Sequence, residues 1–183
     1  NKMKKILLII LPLLLIVGCG KKDGVHTTYY DDEKKYKHLE TTYKDGKKNG
    51  LYIRWESSVG NLYMKHSEGN YKDDKKDGLW TVYTHPHDSI TDPYLRFKSR
   101  LNELKYVTGS KDMEFRYKDG ILNGLRTSWY ENGQKYDEGN YKDNKKIGVW
   151  TVFKKNGQVK SKVEYFENGR SISYKSPSSS SSS

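Results

Sequence analysis

One cysteine, Cys19, stands in the whole 183-residue sequence, so no disulfide can form within the chain. Proline is scarce too, with four residues, and hydrophobic residues make up only 33% of the total. That is too little apolar material for a conventional thick core. The sequence also lacks a Gly-x-Ser-x-Gly elbow, a phosphate-cradling glycine loop and any nucleophilic cysteine other than Cys19. No carboxylate pair stands out, because the acidic residues fall mostly in turn-like stretches such as Asp73-Asp74 and Asp143, where Asp serves backbone geometry. These absences point away from an enzyme and from any cofactor. What is abundant is aromatic: 13% of residues, including 16 tyrosines and 4 tryptophans. A disordered polyelectrolyte would not carry them. A thin structure that uses aromatic rings as its apolar material fits both numbers.

The N-terminus has its own logic. Lys2, Lys4 and Lys5 precede an unbroken apolar run from Ile6 to Val17. A membrane-crossing helix needs about 20 apolar residues, and this run is shorter. A basic segment, a short apolar core and small residues before a cleavage point describe a secretory signal, here residues 1–18. The run Ile16-Val17-Gly18-Cys19 resembles the lipobox of bacterial lipoproteins. That resemblance implies a diacylated Cys19 at the mature N-terminus, and hence an exported protein held to a membrane in the cell envelope, since two acyl chains anchor stably where one does not. Removing Lys2, Lys4 and Lys5 takes the formal charge from +11 to +8. Residues 19–39 are expected to be the lipidated cysteine and a leader, flexible from Gly20 to His26.

Repeats organise the remainder. The segments Glu68–Tyr83 and Glu138–Phe153 are identical at twelve of sixteen positions. Taking their tyrosine as a ruler gives Tyr43, Tyr71, Tyr94, Tyr117, Tyr141 and Tyr165, with steps of 28, 23, 23, 24 and 24 residues. Seven residues beyond the tyrosine stand Gly50, Gly78, Gly124 and Gly148, and twelve beyond it Trp55, Tyr83, Tyr106, Trp129 and Phe153. The unit from Tyr94 to Tyr106 has Leu101 in place of its glycine, and residues 95–104 could form a short helix. It reads as a degenerate repeat near residues 92–112, and Tyr165 opens a partial, capping unit.

Nine of the sixteen glycines follow Asn or Asp, the strongest short-range hairpin signal. Between these turns lie β-branched and aromatic runs such as Leu79-Trp80-Thr81-Val82-Tyr83, without helical period. Alternation sends Trp80 and Val82 to one face and Leu79, Thr81 and Tyr83 to the other. The expected fold is therefore all-β: an elongated, single-layer antiparallel meander over residues 40–175, adding one hairpin per repeat. A lone hairpin is marginal in water, so each unit depends on its neighbours.

The spacing Tyr-x(6)-Gly-x-Trp-x-x-aromatic, with the turns Glu131-Asn132-Gly133 and Glu167-Asn168-Gly169, resembles the bacterial variant of the MORN repeat over about residues 40 to 174. Proteins with this variant are often labelled YwqK-type antitoxins. The resemblance implies a protein-interaction or membrane-associated scaffold without catalytic residues, with an antitoxin-like or immunity protein as the alternative. Leu101, Arg126 and Glu103 depart from the pattern.

The remaining candidates are few. Trp55, Trp80, Tyr83, Trp129, Trp150 and Phe153 are either an exposed binding surface or the thin core, with Trp80 and Trp150 leaning to the core. His85 and His87, with His66, lack the further ligands of a closed zinc site, so no metal is expected. Paired lysines such as Lys75-Lys76 and Lys145-Lys146 read as a solvated edge that deters strand aggregation. The other reading is attraction to an anionic surface. An exported chain is a poor nucleic-acid binder, so the expected partner is a protein. Residues 176–183 form a serine-rich tail expected to be disordered.

Overall fold

A computed structural model describes residues 20–57, 63–84 and 106–175. Cys19 and the signal segment, His85, His87, the expected helix at 95–104 and the serine tail lie outside the described residues.

The described residues form one open sheet without helices. Its thirteen strands are β1 (Gly24–Tyr29), β2 (Lys37–Lys44), β3 (Lys47–Ser57), β4 (Tyr63–Lys72), β5 (Lys75–Tyr83), β6 (Tyr106–Thr108), β7 (Lys111–Lys118), β8 (Ile121–Leu122), β9 (Gly124–Trp129), β10 (Lys135–Lys142), β11 (Lys145–Phe153), β12 (Val159–Tyr165) and β13 (Ser171–Lys175). Neighbours pair in chain order along β1-β2-β3-β4-β5-β7-β9-β10-β11-β12-β13. At about 4.8 Å per strand, this path extends roughly 50 Å. The all-β hairpin meander read from the sequence is the fold.

Three expectations need correcting. The leader is not free: Gly24–Tyr29 pairs with β2 from Gly24↔Tyr43 to Tyr29↔Lys37, and Lys21 bridges Gly46. Thr27, Thr28 and Tyr29 are strand formers, and β2 offers them an edge. Nor, among the described residues, does a hairpin stand between the units of Tyr71 and Tyr117. Strand β5 pairs directly with β7, from Gly78↔Tyr117 to Tyr83↔Lys111, and Tyr106–Thr108 instead pairs in parallel with Tyr63–Lys65 of β4. Tyr71 and Tyr117 belong to adjacent units although 46 residues separate them. Within the expected degenerate stretch, residues 111 and 112 open β7, a regular strand of the array.

Third, several Asn-Gly and Asp-Gly pairs are not turns. Gly50, Gly78 and Gly124 lie within β3, β5 and at the start of β9, with φ of 115°, 72° and 114°. They sit where the strand register slips, so their freedom at positive φ serves bulges rather than hairpins. The tight turns fall a few residues earlier. Asp45-Gly46, Asp73-Asp74, Asp119-Gly120 and Asp143-Asn144 all have two successive residues at positive φ. That is the type I′ signature, which matches the twist of the flanking strands. The wider turns at Gly133 and Gly157 close the opposite side of the sheet.

Candidate functional site: the two faces of the sheet

On one face the indoles of Trp80 and Trp150 are each only 3% exposed. Each ring lies flat on a glycine of the preceding strand, Gly69 and Gly139, which are close enough that an added methyl group would overlap it. Trp80 Nε1 donates to the Asn70 carbonyl at 3.0 Å, and Trp150 Nε1 to that of Asn140 at 3.2 Å. Tyr71 and Tyr141 meet the indoles edge-on at 5.1 and 5.2 Å. The ammonium groups of Lys76 and Lys146 sit 4.2 Å above the two indole centroids and close to Tyr117 and Tyr165. Burial pulls the Lys76 ammonium below its ordinary pKa. Lys48 over Tyr71 and Lys21 over Tyr43 extend the same row.

Where the small residue is lost, the indole is lost with it. Position 41 holds Thr, and Tyr52 stands opposite it. Position 115 holds Phe, and Arg126 lies 5.9 Å from its ring centroid. Arg126 also pairs with the Asp137 carboxylate, which accepts a hydrogen bond from Ser128 as well. In all four units the two positions are eleven residues apart.

The opposite face carries a second repeating cluster. Lys37–Glu40, Lys65–Glu68, Lys111–Glu114 and Lys135–Glu138 form ion pairs three residues apart at 2.5–2.8 Å. Residues three apart in a regular strand point to opposite faces. Here a register slip leaves His38, His66, Asp112 and Tyr136 as the extra residue, so Lys and Glu return to one face. Eighteen residues after each lysine stands Trp55, Tyr83, Trp129 or Phe153. The ammonium groups of Lys37, Lys65 and Lys111 lie 5.7–5.8 Å from the first three rings. Tyr83 donates a short hydrogen bond to Glu68. Burial raises the Tyr83 pKa, and the Glu68 carboxylate raises it further. Burial alone would raise Glu68 too, but its bonds to Lys65 and Tyr83 hold it below the ordinary carboxylate value.

Of the candidate surface, then, Trp55, Trp80, Tyr83 and Trp150 are buried and build the thin core. Trp80 and Trp150 are capped by a lysine of their own strand and flanked by tyrosines, while Trp55 and Tyr83 lie beside a lysine of the preceding strand. Trp129 and Phe153 are half-buried.

Tyr30, Tyr136, Phe166 and Tyr174 are exposed, and six exposed aliphatic residues form a row. Val25, Leu51, Leu79, Leu125, Val149 and Ile172 occupy β1, β3, β5, β9, β11 and β13, and each is between 40% and 63% exposed. The register places Asn70, Arg116, Asn140 and Glu164 between them: Leu51↔Asn70, Leu79↔Arg116, Leu125↔Asn140 and Val149↔Glu164, with Glu164↔Ile172 beyond. One exposed aliphatic side chain thus recurs on every second strand, about 10 Å apart. For four of the six the signal was present in the sequence as the residue eight beyond Tyr43, Tyr71, Tyr117 and Tyr141; Val25 and Ile172 fall outside that spacing.

Among the described residues, no three His, Cys, Asp or Glu side chains gather as a metal site. His66 lies 3.7 Å from Glu56. No described helix is long and apolar enough to cross a membrane. No family model matches the chain, and no curated protein matches it.

Proposed function

We propose that the chain is a membrane-anchored, exported lipoprotein whose repeat sheet is a non-catalytic module for binding another protein. The observation that carries this reading is the row of exposed aliphatic residues from Val25 to Ile172, one per upward strand. Aliphatic side chains held outward at fixed spacing, with polar residues between them, give a partner apolar area and register together. The core does not need them, because the buried rings and lysine stems already fill that role. Residues 16–19 supply the anchor in this reading, through acylation of Cys19, and the MORN-like spacing is consistent with a scaffold.

The test compares the lipidated protein with a Leu79→Glu, Leu125→Glu, Val149→Glu variant in affinity recovery from the native envelope. A single partner recovered by the first and lost by the second supports the reading, provided that both unfold at the same temperature. Equal recovery by both removes the aliphatic row from the binding surface. The partner's identity then separates a scaffold from an antitoxin-like role.

A further inference from the structure

Each hairpin tip of the array is clasped to the unit before it. The carbonyl oxygens of Lys48, Lys76 and Leu122 accept the amide N–H of Asp74, Gly120 and Asn144, the second turn residues, at 2.8–3.0 Å. Two of these tips reach back a second time. Asp74 Oδ1 accepts the Lys48 amide at 2.8 Å, and Asn144 Oδ1 accepts that of Leu122 at 2.9 Å. Gly120 has no side chain to do the same, and its tip takes a second tie through the Asp119 N–H, which donates to Asp77 Oδ1 at 3.4 Å. These backbone groups point outward because the residue opposite each in its own hairpin, Tyr43 for Lys48 and Tyr71 for Lys76, is a ladder position that does not use them.

Lys146 is the next member of this series, opposite Tyr141 in the same way. Its counterpart tip is the turn after β12, and that turn has a different shape. It spans five residues, closed by Phe166 N–H to the Arg170 carbonyl and Gly169 N–H to the Phe166 carbonyl. Asn168, which stands where Asn144 stands one unit earlier, turns its Oδ1 to the Arg170 amide at 3.0 Å instead. Among the described residues no main-chain or side-chain group of this turn reaches the Lys146 main chain. Only the Lys142–Glu167 ion pair, at 2.7 Å, ties the two tips. Between them lies a hollow of about 670 Å³, lined by Lys142, Lys145, Lys146, Ile147, Tyr165 and Phe166 among others.

We propose that this hollow is a binding site for an Asp- or Asn-bearing hairpin tip of a partner protein. The three internal clasps define the ligand's chemistry: an amide N–H for the Lys146 carbonyl and a carboxylate or carboxamide oxygen for its N–H. Lys142 is paired with Glu167 and Asp143 also lines the hollow, so the three lysines leave a net charge of only +1 (3 − 2) toward the tip, and Phe166 and Tyr165 supply apolar walls. The site lies at the C-terminal end of the array, and it is independent of the aliphatic row: either can fail alone.

The experiment titrates the full, isotope-labelled chain with a cyclised hairpin peptide carrying the tip Lys-Asp-Asn-Lys, watching backbone amides by nuclear magnetic resonance. A second peptide carries Lys-Asp-Gly-Lys, which keeps the turn and loses the side-chain acceptor. The expected result is a saturable shift of the Lys146 and Ile147 amides with the first peptide, and binding about fivefold weaker with the second, the worth of one hydrogen bond. The Leu122 amide, already clasped, should stay in place. A variant whose residues 166–170 are replaced by Lys-Asp-Asn-Lys fills the clasp from within, and should melt higher and no longer bind. Equal affinity for the two peptides, no movement at Lys146, or binding that survives in the filled variant would each overturn the proposal.

Discussion

The indole of Trp80 lies flat against the backbone of Gly69, with no room for a methyl group between them. Gly69 has no positive φ, so it is glycine for lack of space and not for lack of allowed conformations. The same holds for Gly139 under Trp150. A single-layer sheet has no second layer to cover its core, and a large ring laid on its own sheet substitutes for one. The ring covers the exposed glycine backbone and is itself capped by a lysine stem.

Alanine at these glycines should therefore be costly although alanine suits the backbone. Gly69→Ala or Gly139→Ala should destabilise by about 1–3 kcal/mol through overpacking. Gly133→Ala, at φ 79° with open space around it, should cost about 1 kcal/mol through backbone strain alone. Chemical denaturation of the three variants orders them. An equal cost at all three would mean that the indoles shift freely.

The natural pair Phe115 and Arg126 suggests a rescue. Gly139→Phe should be severe alone, because the phenyl ring occupies the indole's place. Combined with Trp150→Arg, it recreates the arrangement of the neighbouring unit. The double variant should lose at least about 0.5 kcal/mol less than the two single losses added together. Strict additivity would show that the eleven-residue relationship is incidental.

Much of this architecture was legible in the sequence, and the parts that were not have physical reasons. Spacing from tyrosine to tyrosine gave the units, and β-branched runs gave their strands. Spacing is blind to strand pairing, and Tyr94 falls into the period although β5 pairs directly with β7. Asn-Gly signals positive φ, but a bulge requires positive φ as a turn does, so Gly50, Gly78 and Gly124 were misread. The Lys-x-x-Glu pairs share a face only because a bulge intervenes, so strict alternation hid them. Trp80 and Trp150 were readable as core from their shared context; Trp55 and Tyr83 became so only when Lys37 and Lys65 were placed beside them.

The tip clasps make the two turn residues of one hairpin unequal. Asp73 and Asp74 both hold positive φ, at 48° and 65°, yet only Asp74 reaches the preceding unit. Asp74→Ala removes a charge-assisted acceptor and leaves the Lys48 amide unpaired, which should cost about 1–2 kcal/mol more than Asp73→Ala. Amide hydrogen exchange provides an independent readout. The Lys48 amide should exchange faster in Asp74→Ala and be unchanged in Asp73→Ala.

The bond between Tyr83 and Glu68 should show itself at both ends of the pH scale. Glu68 is held below its ordinary value in the folded state, so its stabilisation is complete above the unfolded carboxylate range of about 4.3 and is lost as pH falls through the folded value. Tyr83 is raised in the folded state, so its contribution is complete below the phenol's ordinary value of about 10 and declines as pH rises beyond it. Tyr83→Phe removes the donor and should cost about 1–2 kcal/mol at neutral pH, since Glu68 retains Lys65. It should also flatten the alkaline limb of stability against pH. Glu68→Gln should flatten the acid limb, because the neutral amide has no proton to take up. Urea midpoints measured from acid to alkaline pH separate the two effects. If Tyr83→Phe left the alkaline limb as steep as before, the half-buried phenols Tyr52, Tyr71 and Tyr117, whose values partial burial also raises, would carry the alkaline transition instead.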